Sequence, residues 1–387
     1  MRTEKLKFNK NGKFIIMQVS DAQDLQFVRH TMVRMLNKAY DTVCPDLVVF
    51  TGDNILGNHL RDARFGSKHV IHTKEEEYEK MKKAISHICR PLEQRQIPFT
   101  MIYGNHDDMN EITKEEQADI YRSYKMCRGL DNPDKTVDVD TFDLPVYSSD
   151  ASKKVFNLWM IDSAWCDKEA DRCHTGVTKE TVEWYKRRAD ELKEENGGKY
   201  LPSIMFQHIP MPETMNLLSE CDKDTPGAIL HRMEDGQEKY FILDPKKADG
   251  YLCEPVTPYD ENNGQLEALR EKGDVKAVVY GHDHSNNFIG EHDGVTVIQS
   301  SAASFRCYGN HLRGVRIFEL DENAPEEFRT YFLTYSDICG NGIGSKIAYI
   351  WDADGCIRQK TALIAGAAAA GVATGALIYY LRRKSNG

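Results

Sequence analysis

Five short signatures in this 387-residue chain are rich in side chains that bind metal ions. In chain order they are Asp21-Ala22-Gln23, Gly52-Asp53-Asn54, Gly104-Asn105-His106-Asp107, Gln207-His208 and Gly281-His282-Asp283-His284. Carboxylate and amide oxygens, together with imidazole nitrogens, can hold two divalent cations side by side. A fold that brought these signatures together would therefore have the ligands for a dinuclear metal centre.

Each signature follows an apolar run that is typical of a buried strand, at residues 14–19, 47–50, 99–103, 204–206 and 275–280. In α/β folds, ligands bind at the edge of the sheet where the carboxyl ends of the strands lie. We therefore expect the five signatures to converge at one such edge.

Helices and strands alternate through most of the chain. Helical periodicity or capping signals occur at residues 27–43, 75–94, 113–126, 178–195 and 264–272. Further short strands are predicted at 288–290, 295–300, 315–320 and 328–335. This many strands favours an α/β fold in which a two-sheet β-sandwich is flanked by helices. Residues 210–259 lack clear periodicity and are predicted to form a loop beside the site.

The order and content of the signatures resemble the calcineurin-like metallophosphoesterase superfamily over roughly residues 13–335. Residues 207–210 and 281–288 are similar to the branch related to purple acid phosphatases and Dcr2-type phosphatases. The resemblance implies a four-layer αββα fold and a phosphoric ester hydrolase. It also implies two divalent metal ions as cofactors, with Mn, Fe and Zn all compatible with such ligands.

The same resemblance implies how the ligands are shared between the metals. Asp53 bridges the two ions, and a hydroxide held between them attacks phosphorus. The other ligands are divided between the metals, with Asp21 and His284 on one and Asn105, His208 and His282 on the other.

Three further residues receive roles from the resemblance and from their positions. His106 is expected to donate a proton to the leaving group, and Asp107 to orient the His106 ring. Asn54 follows the bridging aspartate and is a candidate for binding the substrate phosphate or a metal-bound water.

The chain departs from the family pattern at two positions. The first motif of the family is usually Asp-x-His, whereas this chain has Gln23 in place of the histidine. An amide oxygen is a poorer donor than imidazole, so Gln23 either ligates weakly or leaves room for a water, and Asp24 is a second candidate. The tyrosine that binds ferric iron in purple acid phosphatases is replaced by Leu56, which argues against a purple Fe(III) site.

Three functions remain open from the sequence. The leading one is a phosphomonoesterase that acts on a phosphorylated small molecule or a phosphoprotein. The second is a phosphodiesterase acting on cyclic nucleotides or lipid-like diesters. The third is a catalytically silent scaffold, for which the substitution at Gln23 is the only support.

Composition limits the class of partner and the compartment. The net charge of −10 disfavours general nucleic-acid binding, because the phosphate backbone would be repelled. The 10 cysteines form no CxxC pair, and the N-terminus has no apolar signal segment, which together favour a reducing, cytoplasmic setting. Cys166, Cys173 and His174 do not complete a four-ligand zinc shell.

The C-terminal sequence differs in kind from the rest. Residues 362–381 contain no charged side chain, and 361–381 is predicted to form a transmembrane helix, followed by a basic tail at 382–387. Gly371 and Gly375 form a GxxxG step that could mediate self-association. The alternative is a small-residue helix buried in an oligomer. The predicted layout is a catalytic domain at 1–335, a polar connector at 336–360 and this membrane anchor.

Overall fold

The computed structural model describes residues 5–60, 73–164, 175–233, 236–355, 357–359 and 361. The strands in these residues are β1 Lys13–Val19, β2 Leu47–Thr51, β3 Phe99–Ile102, β4 Phe142–Tyr147, β5 Lys154–Met160, β6 Ser203–Phe206, β7 Leu218–Cys221, β8 Ile229–Arg232, β9 Glu238–Leu243, β10 Ala248–Tyr251, β11 Val275–Tyr280, β12 Asn287–His292, β13 Val295–Gln299, β14 Gly314–Asp321 and β15 Phe328–Thr334. The α-helices are α1 His30–Val43, α2 Lys74–Arg95, α3 Asn105–Asp108, α4 Lys114–Arg122, α5 Lys179–Glu195, α6 Gln265–Lys272, α7 Tyr335–Cys339 and α8 Ile343–Asp352. Short 3₁₀ helices lie at Gly57–His59 and Pro212–Leu217.

Five strands form the first sheet, in the order β15-β14-β1-β2-β3. Strands β1, β2 and β3 run parallel, and β14 and β15 are antiparallel to their neighbours. All residues of β2 are buried, as expected for a parallel strand that is covered on both faces. The register pairs Val19 with Phe50 and Thr51 with Ile102, so the carboxyl ends of the three parallel strands finish at one edge.

Seven strands form the second sheet, in the order β10-β12-β13-β11-β6-β5-β4. Phe206 of this sheet contacts Phe318 of the first sheet edge to face, with 5.8 Å between ring centroids. Helix α5 covers the second sheet, where Trp184 lies 5.9 Å from Trp159 between ring centroids. Buried residues of α1 and α2 pack with the first sheet. The predicted two-sheet sandwich flanked by helices is thereby confirmed.

Residues 210–259 are not the loop that the sequence predicted. They contain a separate three-stranded sheet in the order β7-β9-β8, and strand β10, which extends the second sheet. No residue of β9 is fully buried. Because neither face of this strand is excluded from water, its sequence lacks the alternation of apolar and polar residues that reveals a strand.

The helix predicted to begin after Thr113 has the expected capping box. The hydroxyl of Thr113 accepts a hydrogen bond from the Glu116 backbone N–H at 3.2 Å, and the Glu116 carboxylate accepts one from the Thr113 N–H at 2.8 Å. The helix itself is shorter than predicted, because α4 ends at Arg122.

The residues that follow β15 pack against the domain as α7 and α8. Arg313, which is fully buried, donates to the Asp354 carboxylate at 2.8 Å, so the segment predicted as a polar connector at 336–360 contacts the core. Apart from Thr361, the predicted transmembrane helix at 361–381 lies outside the described residues. Within the described ranges, no helix is both long and apolar enough to cross a bilayer.

The ion pair between Arg313 and Asp354 generates a prediction about stability. Replacing Arg313 with Ala should lower the free energy of unfolding by about 3–5 kcal/mol, because it leaves a buried carboxylate without its cation. Urea denaturation followed by circular dichroism measures the change. Arg329→Ala is the control, since its guanidinium is exposed and 3.5 Å from Glu319, and it should cost less than about 1 kcal/mol. Equal costs for the two variants would show that the buried pair does not secure this segment.

Candidate dinuclear metal centre

Contacts between the two sheets bring the signatures to a common edge. The Gln18 side chain, near the end of β1, donates to the Tyr280 carbonyl at the end of β11, with an N–O distance of 3.0 Å. His208, shortly after β6, places its Nδ1 2.9 Å from the Thr51 carbonyl of β2. The carboxyl ends of parallel strands from both sheets therefore meet at the same place.

The Asp53 carboxylate lies at the centre of this edge and is only 1% exposed. Its Oδ1 accepts a hydrogen bond from the His106 backbone N–H at 2.8 Å and lies 3.5 Å from Nε2 of His208. Its Oδ2 accepts a hydrogen bond from Nε2 of Gln23 at 3.0 Å. One carboxylate thus contacts residues from three other signatures.

Asp21 and His284 form one half of the site. Nε2 of His284 lies 3.5 Å from Oδ1 of Asp21, and ligand atoms of Asp21, Asp53 and His284 all lie within 4.8 Å of one another. The Oδ2 atom of Asp21 accepts a hydrogen bond from the His282 backbone N–H at 3.1 Å, but its buried Oδ1 has no hydrogen-bond donor. A buried carboxylate oxygen without a donor is costly, and a cation would satisfy it.

His208, Asn105 and His282 form the other half. Nε2 of His208 lies 3.2 Å from Oδ1 of Asn105. The imidazole rings of His208 and His282 meet edge to face, with 5.1 Å between centroids. An amide oxygen and two imidazoles are a donor set that suits a divalent transition metal.

Backbone carbonyls fix the orientation of two of these imidazoles. Nδ1 of His208 lies 2.9 Å from the Thr51 carbonyl, and Nδ1 of His284 lies 3.0 Å from the Tyr308 carbonyl. Because a carbonyl only accepts, each Nδ1 carries the hydrogen. Each Nε2 therefore faces the carboxylates and is the ring nitrogen placed to bind a metal once its proton is lost.

Tyr308 also stacks on His284, with ring centroids 4.3 Å apart and an interplanar angle of 13°. The ring covers one face of the imidazole and limits its rotation. Sequence reasoning missed this residue, because Tyr308 lies in an irregular segment 24 positions away and belongs to none of the signatures.

Four of the site residues have a left-handed backbone. The φ angles are 48° at Asp21, 32° at Gln23, 47° at Asp53 and 72° at His282. Side chains other than glycine rarely adopt this region, and such strain concentrates at functional sites. The packing of the two sheets therefore holds these residues in conformations that they would not choose locally.

Charges within the site shift the pKa values of its members in opposite directions. Burial disfavours ionisation of Asp53, but His208 and His106 outweigh it and hold the pKa of Asp53 below its usual value. Burial also disfavours the imidazolium of His208, but Asp53 and Asp21 outweigh it and raise the pKa of His208 to about 9. The buried carboxylates thus favour a positive charge beside them, which is the electrostatic condition for binding metal cations.

Glycines in the signatures allow the close approach of these side chains. A Cβ atom at Gly104 would lie 2.2 Å from Oδ1 of Asp53, and one at Gly52 would lie 2.4 Å from Nδ1 of His208. At Gly281 it would meet the Ser20 hydroxyl at 2.2 Å. Three of the signatures therefore need glycine for space. The carboxylate oxygen without a donor, the imidazoles oriented by backbone carbonyls and the glycines that leave room for them together fit a metal centre.

Comparison with known protein families shows which family the chain belongs to. A family model described as calcineurin-like phosphoesterase matches residues 15–286. The chain belongs to this family. Membership confirms the expected resemblance and makes the chain a hydrolase of phosphate esters.

Similar proteins extend the comparison. The chain is 25% identical over 353 residues to a probable inactive purple acid phosphatase 29 of Arabidopsis thaliana, covering 82% of this chain and 79% of that protein. It is 24% identical over 360 residues to phosphatase DCR2 of Saccharomyces cerevisiae, covering 83% of this chain and 54% of that protein. A solved dimetal phosphatase from Danio rerio has 11% identity and a TM-score of 0.45, covering 84% of this chain and 99% of that one.

The contacts of Asp107 in this calcineurin-like phosphoesterase differ from the expected role. Asp107 accepts hydrogen bonds from the backbone N–H groups of Asn54, Ile55 and Gly104 at 2.9–3.0 Å, so it holds two of the signature loops together. Nδ1 of His106 instead lies 2.9 Å from Oδ1 of Asn58, which sequence reasoning missed. The prediction that Asp107 orients the His106 ring is therefore corrected to Asn58.

The Asn54 side chain uses both amide hydrogens within the protein. Its Nδ2 donates to the Ile102 carbonyl at 2.8 Å and to the Asp107 carboxylate at 3.2 Å. An amide has two N–H hydrogens, and both are used. None is left to donate to a phosphate oxygen, but the Asn54 Oδ1 is buried without a hydrogen-bond partner, so contact with a metal-bound water stays a prediction for this residue.

Gln23 and Asp24, the two candidates for the first-motif ligand, differ in their hydrogen-bond partners. Nε2 of Gln23 donates to Asp53, whereas its Oε1 is buried without a hydrogen-bond partner. Asp24 is engaged by Arg306 and by the backbone N–H groups of Leu25 and Arg29, which leaves Gln23 as the better placed of the two candidates.

Other candidate sites do not join this centre. Asp138, Asp140 and Asp162 cluster elsewhere, and the Lys114 ammonium lies among them, 3.1 Å from Asp138 and 2.6 Å from Asp162. A lysine ammonium already serves as the cation of this cluster. The residues considered for a zinc site, Cys166, Cys173 and His174, lie outside the described part of the chain.

The close approach at Gly104 generates a prediction about metal content. Gly104→Ala should displace the Asp53 carboxylate, because the new methyl group would lie 2.2 Å from Oδ1. Metal affinity should fall on the order of tenfold or more. Inductively coupled plasma mass spectrometry of the purified protein measures the loss. Gly344→Ala, where a Cβ meets nothing within 4 Å, is the control and should keep full metal content. Unchanged metal content in both variants would contradict the assignment of Asp53 as a metal ligand.

Proposed function

We propose that this protein is a phosphomonoesterase that uses two divalent metal ions, of Mn, Fe or Zn. The buried Asp53 carboxylate, surrounded by oriented imidazoles and unpartnered oxygens, is the observation that carries the proposal. In this assignment Asp53 bridges the metals. Asp21, His284 and Gln23 complete one metal site, and Asn105, His208 and His282 complete the other.

The metals, when bound, would activate a water as nucleophile and neutralise the charge on the phosphoryl oxygens. The protein supplies the proton for the leaving group. Nε2 of His106 lies 3.9 Å from Oδ2 of Asp53, and the His106 side chain is 29% exposed, so it can reach both the centre and an incoming ester. Because Oδ1 of Asn58 faces Nδ1, it supports the imidazolium that can donate from Nε2.

Preference for monoesters is supported by the name of a yeast relative, phosphatase DCR2. Three Arabidopsis relatives are each named probable inactive purple acid phosphatase, and these names favour a second candidate, a metal-binding scaffold without turnover. The expected substrate is a phosphorylated small molecule or phosphoprotein. A diester of the cyclic-nucleotide or lipid type is the remaining alternative for an active enzyme.

Turnover of simple esters tests the proposal. Metal-loaded protein should hydrolyse nitrophenyl phosphate faster than bis-nitrophenyl phosphate. Asp53→Asn should lower kcat/KM by several orders of magnitude, because it removes charge from both metals at once. Faster turnover of the diester would favour a phosphodiesterase, and no turnover with two metals bound would favour the scaffold.

The role of His106 predicts a dependence on the leaving group. His106→Ala should reduce the rate by roughly 10²–10⁴ on an alkyl phosphate, whose poor leaving group needs a proton. The loss on nitrophenyl phosphate should be much smaller, because nitrophenolate leaves unaided. Asn58→Ala should likewise lose more rate on the alkyl phosphate than on nitrophenyl phosphate, but with a smaller loss. Metal content should be unchanged in both variants. Equal losses on the two substrates would contradict proton donation.

A further inference from the structure

Helix α8 presents an apolar face to solvent. Ile343, Ile347 and Trp351 are 80%, 60% and 77% exposed. They are spaced four residues apart, so they lie along one side of the helix. Among the large hydrophobic side chains exposed in the described ranges, these are the three most exposed.

The opposite side of α8 is fixed to the domain by polar contacts. The hydroxyl of Thr31 donates to the Ala348 carbonyl at 3.2 Å, and the Thr31 backbone N–H donates to the Asp352 carboxylate at 2.8 Å. The Tyr349 hydroxyl accepts from Arg313 at 2.9 Å. A surface helix normally turns its apolar side inwards. Tyr349 does so here, with its ring centroid 5.1 Å from that of Phe305, but Ile343, Ile347 and Trp351 are exposed and available to another surface.

The sequence that follows indicates what that surface is. Residues 362–381 contain no charged side chain and begin 11 positions after Trp351. Lys346 and Arg358 are exposed, whereas the only acidic residue of α8, Asp352, is bonded to Thr31. An apolar stripe with a tryptophan and flanking cations matches the interface of a bilayer that contains anionic lipid.

We propose that α8 lies in the interfacial region of a phospholipid bilayer, with Ile343, Ile347 and Trp351 inserted among the lipids. Contacts of Thr31 and Arg313 fix α8 to the catalytic domain, so this insertion sets how the domain is oriented on the membrane. The proposal concerns placement only, and it holds whichever phosphate ester the enzyme hydrolyses.

Fluorescence of the full chain in vesicles tests the proposal. The vesicles contain phosphatidylcholine and phosphatidylserine, with a fraction of the lipid brominated on its acyl chains near the headgroup. Comparison with Trp351→Phe isolates the emission of Trp351 from that of the other tryptophans. Bromolipid should quench this emission about twofold or more, since the ring would lie at the depth of the bromine atoms.

A matched pair of variants separates apolar insertion from other causes. Ile343→Asn combined with Ile347→Asn should abolish most of the quenching, whereas Ile343→Leu combined with Ile347→Leu should retain it. Phosphatase activity and circular dichroism check that each variant folds. These residues are exposed on α8 and none is a proposed ligand, so activity on a soluble ester should persist.

Three results would overturn the proposal. One is a full chain that does not float with the vesicles. Another is a chain that floats while Trp351 stays unquenched, which would indicate that residues 362–381 fold back over α8. The third is efficient disulfide dimerisation of Ile347→Cys on the vesicles, which would assign the apolar face to a second copy of the chain.

Discussion

A carboxylate buried between two β-sheets must be matched by donors or cations, and Asp53 imposes this requirement on its surroundings. At 1% exposure it is separated from bulk water, so its charge is stabilised only by neighbouring groups. Gln23 and the His106 backbone N–H donate to it, and Nε2 of His208 lies within 3.5 Å. These groups belong to loops from both sheets, and the sandwich is the structure that holds them together.

The arrangement around Asp53 requires strained backbone conformations. Asp53, Asp21 and His282 all adopt positive φ, and Gly104 leaves no room for even one additional carbon beside the Asp53 carboxylate. Apolar strands such as β2, buried along their whole length, supply the stabilisation that offsets this strain. A preorganised set of ligands is the result, because the side chains cannot relax away from the centre without disrupting both sheets.

Replacement of the usual histidine by Gln23 makes the two halves of the centre chemically unequal. Gln23 still donates to Asp53 and keeps a buried oxygen free of hydrogen bonds, which fits the ligand position proposed for it. A neutral amide is nevertheless a weaker donor than imidazole. In the proposed assignment, the half with His208 and His282 therefore has two imidazoles, whereas the half with Asp21 has one. This difference between the two halves is confined to the proposed metal centre.

The sequence by itself determined the strands that precede the five signatures, the fold class and the convergence of those signatures, because apolar runs and the motifs at their ends are local patterns. It did not predict the small sheet at 210–259, whose half-exposed strand β9 has no clear periodicity. It also gave Asp107 a role at the His106 ring that the structure assigns to Asn58. Asn58 contacts His106 across 48 residues, and Tyr308 covers His284 from an irregular segment. Only the tertiary structure decides such pairs, because no spacing along the chain encodes which distant side chain will lie beside which ligand.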